Sequence, residues 1–322
     1  MLKSIFETDN FAKGIETPQP NALRSVFDTS VFEAPNQGST DFDAIRKYEE
    51  SLRADEAQER AKTGQHFVFG RYKSFCRLAA TDNRIFKNFK MYPEYFNVVG
   101  CHNEKLNQKY AKHLDKNNSF LLAPDYLSVA CKKDKIGNPP VGFDILPVDN
   151  KKSEKPVFVE GTSFQYICAL SNLLDTFDKL DGINNIVEVG GGHGGQARKI
   201  LAYKECDYHI CGFHEENMLI EKVCDDLPLT IFTADNITER DYDLFFSDYS
   251  FTESPREIQL LYIEKLIKRS KFGYITSNAS GQKGHMSLAE IVERIREKHQ
   301  DIKVIDETPS TAPCCKRIVW GI

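Results

Sequence analysis

The chain has 322 residues, of which 41% are hydrophobic, with 13 Tyr and 22 Phe, enough for one large core or two smaller ones. Its formal net charge is −5 and its pI is close to 6.0. That balance argues against a dominant nucleic-acid or membrane-surface role, because phosphate binding draws on a basic excess.

The first stretch, MLKSIFETDNFAKGIETPQP, holds no apolar core of signal-peptide length. No uncharged apolar run approaches the ~20 residues of a membrane span. The nine cysteines are scattered without a C-x-x-C pair. They read as small buried hydrophobes rather than a disulfide framework or zinc site, and the expected location is cytoplasmic.

Residues 1–40 are rich in Asn, Pro, Thr, Ser and Asp and read as an extended arm. Over 41–63, Phe42, Ile45, Tyr48 and Leu52 share one face opposite a charged one, which predicts an amphipathic helix stopped by Gly64. The region 66–150 interleaves aromatic with basic residues. Without a net basic charge this predicts short helices that bury aromatic rings. The stretch 135–156 is dense in Gly, Pro, Asn and Lys and reads as a connecting loop. The division expected is an accessory or cap region over 1–155, binding the acceptor, and a second domain over 156–322.

From about residue 160 the pattern becomes regular. A largely apolar helix over 164–180 precedes strands at 186–189, 208–213, 229–234, 242–247 and 274–277, with helices at 195–203, 215–225, 255–269 and 287–299. Ser254-Pro255-Arg256-Glu257 and Ser287-Leu288-Ala289-Glu290 read as capping boxes. Strands alternating with helices predict a parallel sheet covered on both faces. The last two strands, 302–306 and 317–322, have no helix between them and so predict an antiparallel terminal hairpin. The fold class is α/β, a Rossmann-like seven-stranded sheet behind a mixed, mainly helical N-terminal region.

The sheet's first strand runs into IVEVGGGHGGQARKIL (186–201). Gly190-x-Gly192-x-x-Gly195 matches the dinucleotide fingerprint, in the right strand–turn–helix context. Such glycines let backbone turn tightly beside a ligand at a helix N-terminus. Nicotinamide enzymes and S-adenosylmethionine methyltransferases share this geometry. Glu188, the terminal strand pair and the short remainder of about 130 residues all favour S-adenosylmethionine over a dinucleotide.

VEVGGGHGGQARKIL, YDLFFSDYSFTESPREIQLLYIEKLIKRSKFGYITSN and DETPSTAPCCKRIVWG together resemble the sugar O-methyltransferase family of class I S-adenosylmethionine-dependent enzymes, over about residues 155–322. The resemblance implies methyl transfer to a hydroxyl of a sugar or glycan, nucleotide-linked or lipid-linked. It implies a cofactor site made by Glu188, Gly190, Gly191, Gly192, His193, Gly194, Gln196, Phe213, Asp235, Asn236 and Ser247. Within that set Asp235-Asn236 would face the adenine amino group. Two positions depart from the family: His193 stands where Tyr is usual, and Gly212 where many relatives carry the ribose-binding Asp. Glu215 and Glu216 are then the nearest acids for the ribose, and His214 also faces it.

The methyl donor arrives activated, so the protein's work is alignment and removal of a proton from a weakly acidic alcohol. Candidate catalytic residues are His285, in a Gly-rich segment beyond the fifth strand, with Asp248 and Glu253. Asp235, Asn236 and Asp248 are also hard oxygen donors of the kind that hold Mg²⁺, an arrangement not favoured here. Two other classes remain open. Gly212 suits a non-catalytic Rossmann-like protein serving glycan binding or assembly, whereas Glu188 and the terminal hairpin disfavour an NAD-dependent oxidoreductase.

Overall fold

The computed structural model describes residues 67–100, 103–145, 156–278, 284–312 and 315–322. The arm and the amphipathic helix expected before residue 64 lie outside the described residues. N-terminal to the sheet domain are α1 (Phe67–Thr81), α2 (Glu104–Asn117) and α3 (Pro124–Ala130), then β1 (Gly142–Ile145) and β2 (Val157–Glu160). Tyr72, Phe75, Phe89, Tyr95 and Tyr110 are all buried here, as expected of this stretch's aromatic rings, and Lys90 among them is buried too, paired with Glu160.

The stretch expected to be a plain connecting loop instead contains β1, which pairs antiparallel with β2 through Gly142↔Glu160 and Ile145↔Val157. The Pro and Gly that suggested a loop sit just ahead of a short apolar run, and pairing with β2 overrides them.

The second part runs α4 (Gly161–Thr176), β3 (Asn185–Val189), α5 (Gly195–Tyr203), β4 (Asp207–Cys211), α6 (His214–Val223), β5 (Leu229–Phe232), β6 (Tyr242–Asp248), α7 (Ser250–Glu253), α8 (Arg256–Lys265), β7 (Ser270–Ser277), α9 (Leu288–Arg296), β8 (Lys303–Asp306) and β9 (Lys316–Trp320). The seven strands from β3 onward lie in the order β5-β4-β3-β6-β7-β9-β8. Neighbours from β5 to β7 are parallel, whereas β9 is antiparallel to both β7 and β8. This is the Rossmann-like sheet with an antiparallel terminal hairpin that the alternation of elements predicts. Burial explains which hairpin strand goes inside: Ile318, Val319 and Trp320 of β9 are fully buried, while all four residues of β8 are exposed.

Alternation along the strands splits the core in two. Ile186, Ile210, Leu244 and Phe246 face the N-terminal helices and α4, α5 and α6, in one continuous cluster. Val187, Val189, Phe245 and Trp320 face the other way, against α8 and α9. The capping box at Ser287 and Glu290 is present. The one expected at Ser254 is not: Pro255 caps α8, and the Ser254 hydroxyl donates back to the Ser250 carbonyl at 3.0 Å, closing the unanticipated turn α7. Of the described cysteines, six are buried and none is bridged. No helix among the described residues is long and apolar enough to cross a membrane.

Candidate active site

The strand order reverses at β3, since the chain first steps outward to β4 and β5 and then returns to β6 on the other side. Open α/β sheets bind ligands at that switch point, in the crevice beyond the carboxyl ends of the strands. The registers Val189↔Cys211, Cys211↔Phe232 and Glu188↔Phe246 bring the loops after β3, β4, β5 and β6 to this one edge.

The loop after β3 is shaped by glycines. Gly190, Gly192 and Gly194 all have left-handed φ, at 82°, 59° and 82°. A Cβ on Gly190 would lie 2.0 Å from the Ser250 hydroxyl, so the β3 and β6 loops touch across the crevice. A Cβ on Gly192 would stand 3.2 Å from Val99 and 3.4 Å from the Tyr166 hydroxyl, so the loop edge packs closely on the N-terminal region and on α4. Ser247 stitches the same edge, donating to the Val189 carbonyl at 2.9 Å and accepting the Phe251 N–H at 3.0 Å.

Carboxylates lie behind and beside this loop. Glu188 is 2% exposed and accepts a hydrogen bond from Tyr208 at 2.9 Å, the pairing a buried acid in this strand demands. Burial pushes its carboxyl up to about 8. Glu216, in the first turn of α6, accepts from the Gly192 N–H and the Tyr72 hydroxyl, each at 3.0 Å, and more weakly from the Phe213 N–H at 3.4 Å. Burial raises it to about 7. Glu216, rather than Glu215, therefore holds the glycine loop.

Asp248, at the end of β6, lies in a small recess whose lining includes Tyr110, Gln165, Tyr249, Tyr274 and Glu307. Gln165 donates to its carboxylate at 3.0 Å. Burial, reinforced by the neighbouring acids Glu307 and Glu253, pushes Asp248 up to about 6. Tyr249 follows with a left-handed φ of 67°, unusual for a bulky residue. Its hydroxyl is held by the Glu307 carboxylate and by Thr311, the latter at 2.9 Å.

The remaining predicted residues fall into other surroundings. His193 is buried among Phe89, Tyr95 and Tyr166 and shares a hydrogen bond with the Tyr95 hydroxyl. Burial, together with nearby Lys90 and Lys199, holds it neutral, well below the usual histidine range. Gln196 is buried in α5 and donates to the Tyr166 carbonyl at 3.2 Å. Phe213 is half-buried under the Lys73 ammonium, 4.1 Å from its ring centre. Asp235 and Asn236 lie exposed on the turn after β5, both bonded to Thr233.

Glu253 accepts from Asn278 at 2.7 Å. His285 donates through Nδ1 to the Ser254 carbonyl at 3.0 Å, at the α7–α8 junction, and is not part of the pocket lining. The geometry therefore groups Asp248 with Gln165, Tyr249 and Glu307 and leaves His285 apart. Gln165 and Glu307 carried no periodic or motif signal of their own, although Glu307 lies within the DETPSTAP segment quoted above. Among the described residues no three His, Cys, Asp or Glu side chains gather in a metal-binding group.

No protein-family model matches the chain, and no curated protein does either. Among solved structures it is similar to the magnesium protoporphyrin IX methyltransferase of Synechocystis PCC 6803 with bound SAM, with 13% identity over 49% of this chain and 77% of that one, TM-score 0.38. It is also similar to the methyltransferase domain of bacterial CtHen1-CN, with 9% identity over 48% of this chain and 97% of that one, TM-score 0.38. A third is a sarcosine dimethylglycine methyltransferase from Galdieria sulphuraria, with 16% identity over 44% of this chain and 64% of that one, TM-score 0.36.

Proposed function

We propose that the chain is an S-adenosylmethionine-dependent O-methyltransferase acting on a hydroxyl of a sugar or glycan. One observation carries the reading. The glycine loop after β3 meets Ser250 just beyond β6, so the loop that would take the cofactor and Asp248 stand at the same edge of the sheet.

The glycine loop suits the cofactor by its backbone turn: Gly190, Gly192 and Gly194 take left-handed φ on the way into α5, with Glu216 on the Gly192 N–H and Asp235 after β5 as neighbouring acids. The loop over 190–194 and Glu216 would hold its ribose and amino-acid end, and Asp235 with Asn236 its adenine. When bound, S-adenosylmethionine supplies a methyl group already activated on a sulfonium.

Asp248 then serves as general base for the acceptor hydroxyl. A carboxyl near 6 is mostly ionised at neutral pH yet more basic than an ordinary aspartate. Gln165, fixed on α4, keeps it pointed into the pocket. His285, whose Nδ1 is already committed to a backbone carbonyl, is a worse candidate than the sequence suggests. Tyrosine rings with amide and hydroxyl groups suit a polyhydroxylated ring, and Tyr110 on α2 brings the N-terminal region into acceptor binding. The test is transfer of labelled methyl from S-adenosylmethionine to a panel of free and nucleotide-linked sugars. Product with the wild-type chain and none with Asp248→Asn supports the reading; transfer only to non-hydroxyl acceptors contradicts it.

A further inference from the structure

Helix α1 and the short helical turn Pro93–Phe96 lie directly on the glycine loop and hold it through hydroxyl groups. Tyr72 of α1 donates to Glu216 Oε1 at 3.0 Å, and the Gly192 N–H donates to that same oxygen at 3.0 Å. Tyr95 shares a hydrogen bond with His193, the middle residue of the loop. Val99 closes the outer side, 3.2 Å from the place of a Gly192 Cβ. Gly191, His193 and Glu216 are all buried beneath this cover.

The same segment also grips α6. Lys222 donates to the Ala80 carbonyl at 2.8 Å and to Asn83 Oδ1 at 2.9 Å, and the Lys73 ammonium stands 4.1 Å from the centre of the Phe213 ring. The N-terminal segment thus spans the edge where the loops after β3 and β4 meet. A carboxylate oxygen has two lone pairs, and on Glu216 Oε1 the Gly192 N–H and the Tyr72 hydroxyl take both. A tyrosine hydroxyl and a ribose hydroxyl are donors of the same kind, so Tyr72 competes with a nucleoside for Glu216.

We propose that the segment Phe67–Gly100 is a gate on the cofactor loop, latched by Tyr72 on Glu216 and by Tyr95 on His193, which must lift before S-adenosylmethionine reaches that loop. This rests on the S-adenosylmethionine reading above. A ligand that binds only the lifted form has its affinity reduced by the fraction of molecules in that form. Weakening a latch therefore strengthens and speeds binding, the reverse of what the loss of a supporting contact does.

The test is the association rate and affinity of S-adenosylhomocysteine, measured by surface plasmon resonance on the full chain for the wild type, Tyr72→Phe and Val99→Ala. Tyr72→Phe keeps the ring and removes one hydroxyl. Association should become roughly fivefold faster and binding tighter by a similar factor, the worth of one hydrogen bond. Val99→Ala, which touches no hydrogen bond, should move both quantities the same way, and it decides the question should Tyr72→Phe fail to fold. Unchanged or slower association in Tyr72→Phe overturns the gate and leaves the methyltransferase reading intact. No binding of S-adenosylhomocysteine to either the wild type or Tyr72→Phe overturns both.

Discussion

Replacing Glu188 by Gln should stabilise the protein, and increasingly so as pH rises. Burial moves this carboxyl from 4.5 to about 8. The folded state therefore holds the proton more tightly than the unfolded chain, which releases it near the ordinary value. The sign follows: stability contributed by the protonated acid is fully present below about 4.5, declines as pH rises from 4.5 toward 8, and is gone above 8. The full displacement corresponds to about 3–5 kcal/mol, at about 1.4 kcal/mol per tenfold in acidity. Gln keeps an oxygen to accept from Tyr208 and carries no charge, so the variant should escape this cost. Urea unfolding of both proteins at pH 5, 7 and 8.5 measures it: the two should be close at pH 5 and separate progressively to alkaline pH, with the variant the more stable. Parallel stability curves across that range would refute the reasoning, because they would mean that Glu188 titrates alike in both states.

Asp248→Asn should lower methyl transfer by roughly 10²–10⁴-fold, and it should abolish the rise in kcat/KM that the wild type shows as pH climbs through about 6. Gly192→Val should eliminate S-adenosylhomocysteine binding while the chain still folds; it imposes a left-handed φ on a β-branched residue and fills the space beside Val99 and Tyr166. Trp320→Ala should cost about 3–5 kcal/mol by emptying a fully buried site, read as a drop in the unfolding midpoint, since Trp320 stacks on both Phe245 and His299.

The alternation of β3–β7 with their helices was readable because periods of two and 3.6 are local properties. So was the terminal hairpin, because no crossover fits between residues 306 and 316. Glu188 announced its need for a partner, but its partner, Tyr208 on the adjacent strand, depends on the register between β3 and β4. The cluster around Asp248 was harder to read. Gln165, Asp248 and Glu307 are separated by more than fifty residues from one another and meet only because α4 and the β8–β9 connection cross the same sheet edge. His285 was attractive in sequence for its chemistry and its glycine-rich neighbourhood, yet a backbone carbonyl on the adjoining turn claims it. Why position 212 is glycine shows only in three dimensions, where oxygens of Glu216 and Asn217 crowd the place a Cβ would take.

The central claim is that the β3 loop cradles S-adenosylmethionine, and a thermal-shift titration with S-adenosylhomocysteine against NAD tests it most directly. S-Adenosylhomocysteine should raise the unfolding midpoint of the wild type in a saturable manner, with no shift for Gly192→Val and none from NAD. Stabilisation by NAD alone would contradict the account.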